Sequence, residues 1–274
     1  MTTTPTTKST GFCSLVLAAL CQIRGNLTAV TEFQQQLINW VNSIDSVTQA
    51  AISEYTEALE TASYSELHAW LVERDWGSIA DAIDPTLAAY LASVYEANVS
   101  WKSAGKEVPM EIDRVSYQGA QLKQVKKSRL ENGNVAYTIP TADGRFMTLL
   151  PNVEALEGFE LSTYAESKLS EIQADVTYPS QVELRFPAVN HGAEFDLSAM
   201  KGMSCDGFVI DEIVAAAKFK MDHLGAEMKA VAVAATRGIP SVDVIDGPFI
   251  AVYHGENSTA YFVYYCAQDA WVTK

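Results

Sequence analysis

Basic residues are scarce in this sequence and do not form a patch. There are 19 Lys and Arg residues against 34 Asp and Glu residues, which gives a formal net charge of −15. The densest basic group has the spacing of a solvated strand face and consists of Lys123, Lys126, Lys127 and Arg129. Proteins that bind nucleic acids need a basic surface that neutralises phosphates. We therefore do not expect nucleic acid as a partner.

Long apolar runs are lacking as well, so we expect no membrane-spanning segment. The apolar stretch Phe12–Cys21 follows Lys8, as in a signal peptide, but no small-x-small cleavage site comes before Gln22. We therefore predict a buried helix over Gly11–Arg24, after a disordered tail over Met1–Thr10. The cellular compartment stays open.

Cysteine and histidine are few, and their spacing indicates neither a metal site nor a redox site. On one helix, Cys13 and Cys21 would lie about 12 Å apart, too far for a disulfide, so we expect buried free thiols. The chain also lacks a Gly-x-Ser-x-Gly elbow, a phosphate-binding glycine loop and a His-Glu-x-x-His pair. We therefore expect no cofactor, no metal and no enzyme. The residues weighed are Cys13, Cys21, Cys205, Cys266, His68, His191, His223 and His254.

The apolar fraction of 48% and the charged fraction of 19% are those of a folded globular chain. Apolar residues recur at helical spacing over Thr28–Tyr90, with turns near Asn42, Asp75 and Asp84. From Val108 to Pro151 the pattern changes to strands, with a hairpin turn at Asp143-Gly144. This succession predicts an α+β fold.

The remaining elements are predicted from the same periodicities. They are a helix over Val153–Val176, a strand over Val182–Val189, a short helix over Asp196–Met203, and a hairpin made by Phe249–His254 and Thr259–Ala267.

The segment from Lys218 to Tyr253 is the part around which the rest of the chain is organised. Lys218–Asp222 alternates as a half-buried strand does. Gly225–Ala235 fits a helix, capped by Asp222 and ended by Arg237-Gly238. It also fits a strand, and both interpretations stay open, although composition favours the helix. One face of that strand would carry Ala226, Met228, Ala230, Ala232 and Ala234, and the other Glu227, Lys229, Val231 and Val233.

This segment resembles the serpins, the serine protease inhibitor fold. The serpin reactive loop opens with Gly, a small residue, Glu and a run of alanines, as in Gly225-Ala226-Glu227 and Ala230–Ala235. The serpin C-terminal signature resembles Asp246–Val252. Further weak similarities follow in the serpin order from Gly11 to Ala267, among them Leu91–Trp101.

The resemblance implies one domain over 11–274, mainly helical over 11–90 and mainly β over 91–274. N-terminal helices would precede mixed and antiparallel sheets, with an exposed reactive-centre loop at 225–245. The implied hinge is Gly225, Ala226, Glu227, Met228, Lys229, Ala230, Ala232 and Ala234. The implied scissile region is Arg237, Gly238, Ile239 and Pro240, and the implied supports of loop insertion are Trp101 and Phe249.

The implied function is a monomeric protease inhibitor that acts as a suicide substrate for a serine protease of trypsin-like or elastase-like specificity. Family spacing places the scissile bond at Ile239-Pro240, and Arg237-Gly238 is the alternative. Met228, Lys229 and Ala215, the last at a position where serpins usually keep a histidine, favour a second hypothesis, a non-inhibitory binding or structural protein. A hydrolase on an unrelated α+β fold is the third.

Overall fold

A computed structural model describes residues 8–23, 27–97, 99–174, 180–194, 197–205, 208–210, 216–226, 242–257 and 259–274. The chain divides into two compact units. The sheet unit comprises Met1–Phe12, Ala97–Ala193 and Ala217–Lys274. The helical unit comprises Cys13–Glu96 and Glu194–Ala216.

Both kinds of element occur along the described chain. The helices are α1 (Ser14–Gln22), α2 (Glu32–Asn42), α3 (Ser46–Tyr55), α4 (Tyr64–Glu73), α5 (Gly77–Asp81) and α6 (Gly158–Ala174). The first eight strands are β1 (Thr10–Cys13), β2 (Thr56–Thr61), β3 (Tyr90–Tyr95), β4 (Val99–Ser100), β5 (Lys106–Ile112), β6 (Val115–Arg129), β7 (Val135–Pro140) and β8 (Phe146–Pro151). The others are β9 (Ser180–Pro187), β10 (Val189–Glu194), β11 (Ser204–Cys205), β12 (Phe208–Val209), β13 (Ala216–Met221), β14 (Gly225–Ala226), β15 (Val242–Val244), β16 (Phe249–His254) and β17 (Ala260–Cys266).

In the helical unit, three helices begin at polar capping residues. The side chains of Thr31, Asp45 and Ser63 each accept a hydrogen bond from the backbone N–H three residues later. These caps satisfy N–H groups that have no partner inside a helix, so the helix starts are set by local sequence. The turns expected near Asn42, Asp75 and Asp84 lie between the observed elements.

The prediction of helices separated by turns over Thr28–Tyr90 is wrong in one place, because β2 lies between α3 and α4. Strand β2 pairs antiparallel with β3, in a register that places Thr56 opposite Tyr95 and Thr61 opposite Tyr90. A strand is stabilised by a partner that is distant in the chain, and the periodicity of β2 alone does not show that partner.

The chain before α1 is a strand, although a helix was expected from Gly11. Gly11 permits this strand because a side chain there would lie 2.8 Å from both Ala217 Cβ and Tyr264 Cδ2. Ser9 and Thr10, assigned above to the tail, are buried. The Ser9 hydroxyl accepts a hydrogen bond from the backbone N–H of Ala267 (2.9 Å).

The sheet unit is built on a nine-stranded sheet with the order β1-β17-β16-β8-β7-β6-β9-β15, in which β5 also pairs with β6. Strand β15 lies parallel to β9, whereas the pairs from β17 to β9 along this order are antiparallel. The predicted turn at Asp143-Gly144 joins β7 to β8, with Gly144 at a φ of 84°. Helix α6 packs against β17 and buries Leu161 and Leu169, as the helical pattern predicts.

Two smaller expectations need correction. The expected helix over Asp196–Met203 is a single 3-10 turn at Ser198–Met200 in the described residues. The pattern of Val182, Leu184 and Phe186 predicts a strand with Glu183 on an exposed face, but Glu183 is buried as well. Asp81 ends α5, Asp84 follows it, and both are exposed.

A buried polar chain crosses three strands of the large sheet. His254 Nδ1 lies 2.8 Å from the carbonyl oxygen of Gly255, an acceptor, so Nδ1 carries the proton. His254 Nε2 then accepts from the Thr148 hydroxyl (2.9 Å), which accepts from the Thr138 hydroxyl (3.0 Å). The ring also stacks on Phe146, with 5.7 Å between centroids. Burial lowers the pKa of His254 to about 4, although the hydrogen bond to Gly255 acts in the opposite direction.

This pKa predicts acid sensitivity. The unfolded chain binds the proton near pH 6.5 and the folded chain only near pH 4, so stability is full above pH 6.5 and decreases below it. The loss should reach on the order of 3 kcal/mol near pH 4. Urea unfolding at several pH values should show that His254→Gln removes most of this slope, whereas His68→Gln, at the surface, keeps it. An unchanged slope in His254→Gln would contradict the assignment.

Candidate functional site

Strand β13 leads into the candidate site and has the alternation expected for Lys218–Asp222. Its buried positions are Ala217, Phe219 and Met221, and its lysines are exposed. The Phe219 ring packs against those of Phe262 and Tyr264, with centroids 5.5 Å and 5.2 Å away. These aromatic contacts hold the strand on β17, so the position where the site begins is set by the core.

After β13 the chain turns and forms β14, which pairs antiparallel with β4. The Asp222 carboxylate accepts from the backbone N–H of Leu224 (2.7 Å), and the Asp222 N–H donates to the carbonyl of Gly225 (2.9 Å). Gly225 then lies opposite Ser100, and Ala226 lies opposite Val99. In the helical interpretation Asp222 was a helix cap, whereas the structure gives it a turn, and Gly225–Ala226 is a strand.

Glycine is required at position 225. Its φ is 145°, and a Cβ there would lie 2.2 Å from the carbonyl oxygen of Val99. Residues with a side chain rarely adopt that backbone angle, and no side chain fits that close to a backbone oxygen. In the sequence, Gly225 is recognisable because it breaks the strand pattern that precedes it.

Trp101 lies beside this turn. Its indole Nε1–H donates to the carbonyl of Asp222 (2.9 Å), and its backbone N–H donates to the carbonyl of Leu224 (3.3 Å). The side chain is buried. The structure therefore brings Trp101 together with Gly225, two residues that were assigned to the site separately. Phe249, the other predicted support, lies in β16 between Cys266 and Pro151, where it is part of the sheet core.

Most of the predicted loop lies outside the described residues. These positions are Glu227, Met228, Lys229, Ala230, Ala232, Ala234, Arg237, Gly238, Ile239 and Pro240, together with Ala215. The site can therefore be built from its two flanks.

The second flank is β15, which begins directly after this stretch. Asp243 at its centre accepts hydrogen bonds from Lys127 Nζ (2.6 Å) and from the Tyr137 hydroxyl (2.9 Å). Burial, and then Asp243 itself, raise the pKa of Tyr137 well above its usual value, so the hydroxyl stays protonated and donates. The contact between Lys127 and Asp243 is not predicted from the sequence, where Lys127 has the pattern of a solvated strand face and Asp243 is far away in the chain.

In the described part of the chain, no cluster of three or more His, Cys, Asp and Glu residues could hold a metal ion. His191 lies in the sheet unit and contacts the Tyr264 hydroxyl (2.7 Å). His68 and Asp81 both lie in the helical unit and contact each other (3.1 Å). Among the described helices, none is long and apolar enough to cross a membrane. Cys13, Cys21 and Cys266 are buried, reduced thiols, as predicted.

Solved structures share this architecture. A serpin from the trematode Schistosoma haematobium aligns with a TM-score of 0.63 at 12% identity, over 94% of this chain and 93% of its own. Uncleaved ovalbumin aligns with a TM-score of 0.61 at 12% identity, over 94% of this chain and 93% of its own. Thyroxine-binding globulin in complex with thyroxine aligns with a TM-score of 0.57 at 12% identity, over 96% of this chain and 93% of its own. The chain has the serpin fold.

The serpin fold confirms the resemblance found in the sequence. The unrelated α+β fold of the third hypothesis is therefore wrong. Sequence comparison adds nothing to this, since no family model matches the chain and no curated protein matches significantly. The similar structures include a serpin named as such and a thyroxine-binding globulin. At this identity the likeness concerns the fold, and the activity needs a separate argument.

The geometry at Gly225 predicts a sharp difference between two glycines. Gly225→Ala should disrupt the pairing of β14 with β4 and lower stability by roughly 2 kcal/mol or more, because both the backbone angle and the contact with Val99 are violated. Gly192→Ala in β10 should be tolerated, since its nearest neighbour would be 3.6 Å away. Hydrogen exchange should become faster at the Trp101 amide in the first variant only. Equal protection in both would contradict this account of Gly225.

Proposed function

We propose that the chain is a protease inhibitor that acts as a suicide substrate through Gly225–Pro240. The observation that carries the proposal is the turn after β13, which directs Gly225–Ala226 against β4 beside Trp101 in a chain with the serpin fold. The segment that follows Ala226 therefore has a defined starting point, from which residues can add as a strand during insertion.

In this mechanism the nucleophile of the target protease attacks a carbonyl carbon of the segment. The peptide bond breaks, the C-terminal part leaves with the new amine, and the N-terminal part stays bound as an acyl-enzyme. The N-terminal part then inserts as a strand, and the energy released by this insertion distorts the protease before water cleaves the acyl bond. The trap works only when insertion is faster than hydrolysis.

Insertion requires small side chains on the face that becomes buried. By strand alternation from Ala226, this face carries Ala230, Ala232 and Ala234, while Glu227 stays outside. Met228 is the one bulky residue on the inward face, and a larger side chain in a close-packed layer slows insertion. The pattern therefore supports insertion with one unfavourable position.

Two bonds are candidates for cleavage. Ile239-Pro240 follows from the family spacing, but proline after the scissile bond makes a poor substrate for most serine proteases. Arg237-Gly238 suits a trypsin-like protease and leaves a shorter strand for insertion. Mass spectrometry of the cleaved chain distinguishes them.

A second candidate function is a non-inhibitory binding protein with the serpin fold. Met228 and Lys229 at the start of the segment favour it, because small residues there would help insertion. One similar structure, thyroxine-binding globulin, is a binding protein in complex with thyroxine. In this case cleavage of the segment would be followed by neither trapping nor a gain in thermal stability.

The decisive experiment is incubation with trypsin-like, elastase-like and subtilisin-like proteases, followed by denaturing gels. An inhibitor should give a covalent band at the summed mass of one chain and one protease. Ala232→Glu should abolish this band, because burying a carboxylate costs several kcal/mol and about 1.4 kcal/mol slows a step tenfold.

The matched control is Val233→Glu, which places the same charge on the neighbouring, outward position and should keep the band. Cleavage between Ala226 and Ser241 without any covalent band, and without a rise in melting temperature, would reject the inhibitor and favour the binding protein. Loss of the band in both variants would reject insertion by alternating faces.

A further inference from the structure

Strand β15 is weakly attached through its backbone. It has three residues, lies at the edge of the nine-stranded sheet and pairs parallel with β9. Parallel pairing is slightly less stable per residue than antiparallel pairing, and a short edge strand has neighbours on one side only. Its apolar residues contribute little, because Val242 and Val244 are 43% and 50% exposed. The side chain of Asp243, in contrast, makes specific contacts with the sheet.

Asp243 has the opposite environment. Its side chain is 17% exposed and lies on the face of the fully buried Leu184, its partner in register. Lys127 comes from β6 and Tyr137 from β7, so one carboxylate oxygen, Oδ2, connects β15 with two further strands of the sheet. Hydrogen bonds that an ionised carboxylate accepts are among the stronger ones in proteins. The next residue attached is Ile245, whose N–H donates to the carbonyl of Arg185 (2.8 Å).

We infer that Asp243 is a positioning residue that holds the C-terminal end of the reactive segment on the sheet and so prepares that segment for attack by the protease. This inference rests on the proposed function. If β15 detached, the chain after the reactive segment would first be bonded to the sheet at Ile245. The residues of β15 would then have to be ordered again when a protease binds, which lowers the rate of the encounter.

The chemistry of the trap limits this role to the steps before cleavage. When the peptide bond breaks, the acyl group stays with the N-terminal part, and β15 stays with the part that carries the new amine. Asp243 therefore has no connection to the strand that inserts. Loss of Asp243 should slow acylation and leave the ratio of trapped to released protease unchanged.

The test uses the full-length chain with Asp243→Ala and Asp243→Asn, and with Asp246→Ala as the matched control, since Asp246 is a nearby exposed carboxylate. Hydrogen exchange should become faster at the amides of β15 in both Asp243 variants and stay unchanged in the control. The second-order rate of cleavage within residues 227–241 should fall by about tenfold in Asp243→Ala, because freed backbone must be ordered again. The number of chains consumed for each protease trapped should not change.

Lys127→Met provides the second arm. Its effect on the cleavage rate should be much smaller in the Asp243→Ala background than in the native chain, because both substitutions break the same contact. Unchanged exchange in β15, or additive effects of the two substitutions, would overturn the inference. So would an altered number of chains consumed per protease, since that would place Asp243 in the insertion step. If the chain traps no protease, the exchange and cleavage rates still test Asp243, so this failure is distinct from that of the proposed function.

Discussion

The buried hairpin of β16 and β17 is the constraint on which the rest of the sheet unit depends. Every residue of both strands is buried, and the register runs from Phe249 opposite Cys266 to Tyr253 opposite Phe262. Strand β8 pairs with the outer edge of β16, while β1 and α6 lie against β17. A polar side chain in a strand buried on both faces is stabilised by hydrogen bonds, as His254 is by its bond with Thr148. The same hairpin supports β13 through Tyr264, so the candidate site depends on it as well.

The two flanks of the proposed reactive segment are held by different kinds of interaction. At the N-terminal flank, backbone pairing and the absence of a side chain at Gly225 set the geometry, and Trp101 donates to backbone carbonyls. At the C-terminal flank, β15 has three residues, and the carboxylate of Asp243 adds hydrogen bonds to two further strands. The first flank therefore depends on the absence of a side chain at Gly225, and the second depends on the presence of a carboxylate at Asp243.

Features of this chain that depend on neighbouring residues could be predicted from the sequence, and features that depend on distant partners could not. The turn at Asp143-Gly144, the alternation of Lys218–Asp222 and the hairpin after Phe249 follow from local turn chemistry and periodicity. Strand β2 was missed because its stability comes from β3, more than thirty residues later. The partners of Asp243 were missed for the same reason, since Lys127 is 116 residues away. The serpin order was recognised because many weak motifs follow one another in the same succession.

Fold and inhibition are separable in the proposed mechanism because inhibition depends on a competition between two rates. Insertion must precede hydrolysis of the acyl-enzyme, and neither rate is a property of the native sheet. A bulky residue such as Met228 costs about 1–3 kcal/mol if it must enter a close-packed layer. If that cost falls on the insertion barrier, it slows insertion by roughly 5- to 150-fold. Such a change turns a trap into a substrate and leaves every native contact of the sheet in place. Under the proposed function, the residues between β14 and β15 therefore set the outcome, and a shared fold at 12% identity does not.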